Sequence, residues 1–361
     1  MQAIVTPLLR RTGLPLLTLS FITTAASAQQ PERYTITGSE VAIYTLAGEV
    51  RVEPGSGSVT AEVTRGGADA AKLKVAQDEI DDRQTLRILY PSDRIQYAQL
   101  SEGSSTQLRV RENGTFNDDN NRDEDEKPRG KRITISNRGG GLDAHADLKV
   151  AVPTGKRVAI YLAVGKVSVT NVEGELWLDA AAAPVTTSNT RGELNIDVGS
   201  GAVQVSDARG ELKVDTGSGA VSVSGIRGET VSVESGSGDV TASDIRSNEL
   251  SVETGSGNIE VTRLIAPQLT LETGSGSVVA DVQGELWNVN VQTGSGDVSL
   301  KLPPNIGANV DIESSSGDIE TDFSVSVTRH ARDHLTGTIG DGRGKIAIET
   351  GSGGIKLLKG Q

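Results

Sequence analysis

One short phrase constrains this chain more than any other feature: a run of alternating apolar residues, a Thr-Gly-Ser-Gly corner, and a second alternating run. It reads GELKVDTGSGAVSVSGIRG at 210 to 228, ETVSVESGSGDVTASDIR at 229 to 246 and ELSVETGSGNIEVTRL at 249 to 264. The apolar residue just after the corner sets the register: Val167, Val185, Val203, Val221, Val240, Ile259, Val278, Val298 and Ile319, at intervals of 18, 18, 18, 19, 19, 19, 20 and 21 residues. A period this short cannot hold a helix pair or a propeller blade. It holds two short strands and two tight turns, which is one coil of a β-solenoid. The fold class expected is therefore all-β, a solenoid of about 18–21 residues per coil, wound right-handed by analogy with crossover connections.

Period-two alternation within each unit sets the faces. Leu212, Val214, Val221 and Val223 point inward, while Lys213, Asp215 and Ser222 point outward. At the second corner Val172, Ala208, Ile226, Ile245, Leu264 and Val282 plug the inner edge, all but Leu264 preceding a basic or polar residue. The next corner phrase after Ile319 stands at Ile355, 36 residues on. That distance fits two coils with the intervening one irregular. Pro303-Pro304 removes ladder donors, and His330 to Gly344 is a polar excursion before the closing coil.

Three segments follow. Residues 1–28 read as a secretory signal: Arg10 and Arg11, an apolar stretch from Leu14 to Ala25, and the small cleavage site Ala26-Ser27-Ala28 before Gln29. Residues 29–150 read as an N-terminal cap and irregular first coils, with an acidic loop at 112–131 too polar to offset its ordering entropy. Residues 151–361 are the regular solenoid with its closing coil. The mature chain shows no later transmembrane segment. With no Cys, disulfides and thiolate metal sites are excluded. The formal charge of −13 becomes about −15 once the signal is removed, which argues against nucleic acid and anionic lipid as partners.

The opening LAGEVRVEPGSGSV, the TGSG-x-V coils and the closing LTGTIGDGRGKIAIETGSGGIKL resemble the DUF4097 group of bacterial β-strand-repeat proteins, which carry the label of adhesins. The resemblance implies an exported or envelope-associated β-solenoid, periplasmic or at the cell surface, and it brings no catalytic residues or cofactor with it.

Other chemistries fit the residues less well. A calcium β-roll needs Gly-Gly-x-Gly-x-Asp at both corners, whereas one corner here is glycine-rich and only Asp239, Asp297 and Asp318 follow it as acids. A calcium loop from Asp118, Asp119, Asp123 and Asp125 lacks EF-hand spacing. His330 and His334 would share a helical face as zinc ligands, but no amphipathic helix surrounds them. Trp177 aligns with outward Asn195 and Lys213, and Trp287 falls in a two-residue coil extension where it would fill a corner. Two separated Trp do not line a sugar track, which argues against sugar-cleaving chemistry; the expected function is a non-enzymatic exported scaffold or adhesion surface of the cell envelope, and a carbohydrate-active envelope enzyme is the alternative. A calcium-stabilised module is the third reading.

The outward column before each corner supplies the candidate interaction face: Asp197, Asp215, Glu234, Glu253, Glu272, Gln292, Glu313 and Glu349. Stacked carboxylates could recruit cations or a basic partner, an envelope protein or glycan.

Overall fold

The structure, a computed structural model, describes residues 30–117, 130–331 and 333–360. The secretory-signal reading and the four carboxylates of the calcium-loop reading lie outside these. Among the described residues the secondary structure is β apart from one three-residue 3₁₀ turn at Ala70–Lys72.

Each regular coil has two strands. Leu194–Ser200, Leu212–Ser218, Thr230–Ser237 and Glu249–Thr254 form one face, all parallel and in register; Val203–Ser206, Val221–Ser224, Val240–Ser243 and Ile259–Leu264 form the other. A third side is closed by single-residue bridges that run Glu173, Arg191, Arg209, Arg227, Arg246, Ile265. The inward residues form one continuous core down the stack, and the second-corner plugs Val172, Ala208, Ile226, Ile245, Leu264 and Val282 belong to it. Alternation reads directly as burial: in Leu212–Ser218, Leu212 and Val214 are buried and Lys213 is exposed.

Stacking explains the corner. A Cβ on Gly257, whose φ is +155°, would stand 2.1 Å from the Gly238 carbonyl oxygen of the neighbouring coil. A Cβ on Gly255 would stand 2.5 Å from the Gly236 oxygen. Both contacts are far inside van der Waals distance, so coils can stack at about 4.8 Å only on glycine. The threonine before the corner has inward parity and is buried. Its hydroxyl donates to the left-handed glycine of the preceding coil: Thr254 to Gly238 O at 3.2 Å, Thr273 to Gly257 O at 3.0 Å, Thr293 to Gly276 O at 2.9 Å. The second corner uses left-handed Asn189, Asp207, Asp244 and Arg263 at φ 50° to 55°, where Asp244 and Arg263 form a two-bond ion pair.

The end of the chain departs from the order expected. The strand Gly344–Thr350 pairs with Asn288–Thr293 on one side and Ala308–Ser314 on the other, and Ile355–Lys359 likewise lies between Val298–Leu302 and Ile319–Thr321. No irregular coil fills the 36-residue gap. The chain passes Ala308–Thr321, turns through the antiparallel hairpin Val325–His330 and His334–Ile339, and comes back to insert its last coil one place inward. The two histidines therefore lie on facing strands of a hairpin.

At the other end, strands Glu40–Pro54 and Lys156–Thr170 pair in parallel over both faces of a coil. Their outward side is covered by a separate four-stranded sheet: Arg94–Gln96, Ser105–Val110, Lys131–Ser136 and Leu142–Asp143. A second apolar core fills the space between, around Tyr44, Tyr161, Ile95, Tyr97, Phe116 and Ile135.

Candidate interaction face

The outward carboxylates do form one column, because parallel in-register pairing carries each residue straight onto its equivalent one coil away. Asp197 pairs with Asp215, then follow Glu234, Glu253, Glu272 and Gln292. Beyond Gln292 the inserted coil changes the order: Glu349 comes next and Glu313 lies outside it, facing His334 across the closing hairpin. His334 Nε2 and Asp311 Oδ1 are 3.0 Å apart.

In the other direction the column continues through Asp179 to Tyr161 and Tyr44. Sequence reasoning missed Asp179 because its coil, LWLDAAAAP, has no glycine corner to align on; the parity of the buried Leu176 and Leu178 was the usable signal. Asp179 is 7% exposed and accepts a hydrogen bond from Asn117 Nδ2 at 3.0 Å. Next to it the Tyr44 and Tyr161 rings stack at 4.4 Å, and Phe116 meets both edge-on. The first residues of the polar insert are thus anchored by Phe116.

From Asp215 to Glu349 the column walls an open groove of about 760 Å³. Its floor is a row of glycines, Gly236, Gly255, Gly274, Gly294 and Gly351, which leaves backbone exposed and no side chain to fill it. Asn290 Nδ2 donates to Glu272 at 3.1 Å and the Ser251 hydroxyl to Glu253 at 3.3 Å. Among the described residues, Asp215, Glu234, Glu253, Glu272, Glu313 and Glu349 make no ion pair. Charges about 4.8 Å apart repel by about 1 kcal/mol in water. At Asp197, loss of hydration first and the Asp215 charge second raise the carboxyl above its ordinary range, and Lys213 opposes them.

The residues after the glycine corner, which a calcium roll would use as ligands, cap backbone amides instead. Asp239 Oδ1 accepts from Asn258 N at 2.8 Å, Asn258 Oδ1 from Ser277 N at 2.9 Å, and Asp297 Oδ1 from Gly354 N at 2.8 Å. Among the described residues no group of three His, Asp or Glu is placed to hold a metal ion. Trp177 aligns with Asn195 and Lys213 as expected. Trp287 does not fill a corner: it is 64% exposed, and Leu286 takes the buried place beneath it.

A stacked, parallel, glycine-cornered sheet of this kind has a matching family profile, Toastrack DUF4097, over residues 102–358. The chain belongs to the DUF4097 family. No curated protein matches this Toastrack chain in sequence. Among solved structures it is similar to a putative cell adhesion protein from Clostridium sporogenes, at 10% identity and TM-score 0.22, covering 92% of this chain and 100% of that one. A putative adhesin from Bacteroides fragilis aligns at 13% identity and TM-score 0.32, covering 91% of this chain and 96% of that one. At those values neither neighbour bears on how the Toastrack stack works. Among the described residues no helix is long and apolar enough to cross a membrane.

Proposed function

We propose that this Toastrack protein is an exported, non-enzymatic solenoid that serves as a rigid adhesion or interaction scaffold in the cell envelope, with the acidic column as its recognition face. The observation that carries the reading is the column itself: carboxylates in register along a glycine-floored groove, with no ion pair among the described residues at Asp215, Glu234, Glu253, Glu272 or Glu349. Holding them together costs repulsion that a cationic partner, such as a basic protein segment or an amino-bearing glycan, relieves on binding. The groove contains no aromatic side chain. Its carboxylates also share one environment, which does not divide them into the acid and base that hydrolysis of a glycan requires. Both points favour a scaffold over an envelope hydrolase.

The test compares the chain from Gln29 with a variant carrying Glu234→Gln, Glu253→Gln and Glu272→Gln, each immobilised and exposed to solubilised envelope of the native host. A partner retained by the first, released by salt and lost from the second is the expected result. A partner retained equally by both, or release of reducing sugar from envelope polysaccharide, overturns the reading. Export is checked by fractionation, where a mature N-terminus at Gln29 in the envelope fraction is expected.

A further inference from the structure

The regular repeat leaves no room for surface elaboration, so its irregularities are where a specific site can be built. Three of them converge at one corner near the C-terminal end of the stack. They are the extension Gln283 to Trp287, the connection through Pro303-Pro304 to Gly307, and the turn Gly340 to Arg343, and together they line a cavity of about 580 Å³. Inserting the last coil between two earlier ones is what brings the third segment against the first two.

Trp287 dominates this cavity. Among the described residues it is the only aromatic of the large apolar side chains left exposed, in a chain with two Trp. Its exposure does not come from a frayed loop. Trp287 N donates to Pro267 O at 2.9 Å and its carbonyl accepts from Lys345 N at 2.9 Å, so the ladder on both sides holds the indole outward. Leu286 is buried beneath it, and the two prolines give the opposite wall a fixed backbone. Around the indole stand polar groups of every hydrogen-bonding type. Among the described residues, the amides of Gln283 and Asn305 and the carboxylate of Glu285 have no side-chain hydrogen bond or ion pair. Asp341 Oδ2 binds Arg343 Nε at 2.6 Å, which orients the guanidinium while its terminal nitrogens stay available, the side chain being 87% exposed.

We infer that this corner is a saccharide-binding site, in which a pyranose ring of a neutral glycan stacks on Trp287 and its hydroxyls bond Gln283, Asn305 and the Asp341–Arg343 pair. A sugar ring offers an apolar C–H face and a rim of hydroxyls that both donate and accept. A flat indole ringed by amides, carboxylates and a guanidinium matches that chemistry. Two carboxylates against one guanidinium disfavour a polyanionic ligand. The site is separate from the acidic column and stands whether or not that face binds a partner.

The experiment is a fluorescence titration of the chain carrying Trp177→Phe, so that Trp287 is the sole indole reporter, with cellotriose, maltotriose and chitotriose. A saturable shift with at least one trisaccharide is expected, at roughly millimolar dissociation constant or tighter. By calorimetry Trp287→Ala abolishes that binding and Trp287→Phe retains part of it. Arg343→Ala weakens it about tenfold, as hot-spot truncation does, with thermal unfolding unchanged in all three because the side chains are exposed. No response to any of the three sugars, binding that survives Trp287→Ala, or saturable binding of a decaproline peptide without sugar binding overturns the inference.

Discussion

The same outward column has two fates along this molecule. At the N-terminal end it holds Tyr44 and Tyr161, stacked and buried under the four-stranded sheet; from Asp197 onward it holds carboxylates open to solvent. Backbone pairing is continuous through both, so the difference lies in what covers the sheet. A covered column must supply apolar area. An open one need only avoid inviting further association, and carboxylates do that at the cost of mutual repulsion. Asp179, nearly buried and bonded by Asn117, marks the border.

Breaking the covered end has the largest expected effect. Tyr161→Ala removes a stacked ring with edge contacts to Phe116 and leaves a cavity between the two sheets; a loss of about 3–5 kcal/mol is expected in urea unfolding. In the open coils the counterpart is the corner. Gly257→Ala places a methyl 2.1 Å from the Gly238 oxygen at left-handed φ, so about 2–4 kcal/mol is expected from overpacking and backbone strain together. Hydrogen exchange around that corner should then rise in the two flanking coils before it rises at the tyrosine end.

A finer contrast lies inside the open region. Thr273→Val removes the hydroxyl that bonds Gly257 O and should cost about 1–2 kcal/mol. Ser235→Ala at the equivalent place in its coil should be nearly neutral, because the Ser235 hydroxyl is buried without a partner. Equal losses from the two would mean that the buried hydroxyls matter for volume and not for bonding.

The smallest effect is electrostatic. The Asp197 carboxyl is raised in the folded chain, so the native state binds more protons than the unfolded one, and stability falls as pH rises through the window between the two values. Asp197→Asn should therefore be slightly more stable than the parent at neutral pH. The difference should vanish as pH drops below the ordinary aspartate value of about 3.9. Because the group is solvent-accessible, screening keeps it small, and a thermal melt at two pH values in low salt is the suitable measurement.

Much of the architecture was legible because it is translational. Leu212, Val214 and Val221 are inward by period-two parity, and the carboxylate column follows from a constant offset before each corner. The buried threonines were equally readable, since Thr254 and Thr273 share the parity of the apolar residues, but a polar residue beside glycine reads as turn. Trp287 reads as a corner filler because it falls in the two-residue extension of its coil. Its exposure depends on the Pro267 and Lys345 ladder bonds from neighbouring coils.

By itself the sequence determined the coil, its register, its inward and outward faces and the glycine corners, since all of these are set within about twenty residues by alternation and sterics. The tertiary structure alone decided the order of the last coils. IAIETGSG presents the same hydrogen-bonding edge as every other coil and would fit any level of the stack. What selects its level is the antiparallel hairpin Val325–His330 and His334–Ile339, which caps Ala308–Ser314 and leaves the returning chain one free place, between that strand and Asn288–Thr293.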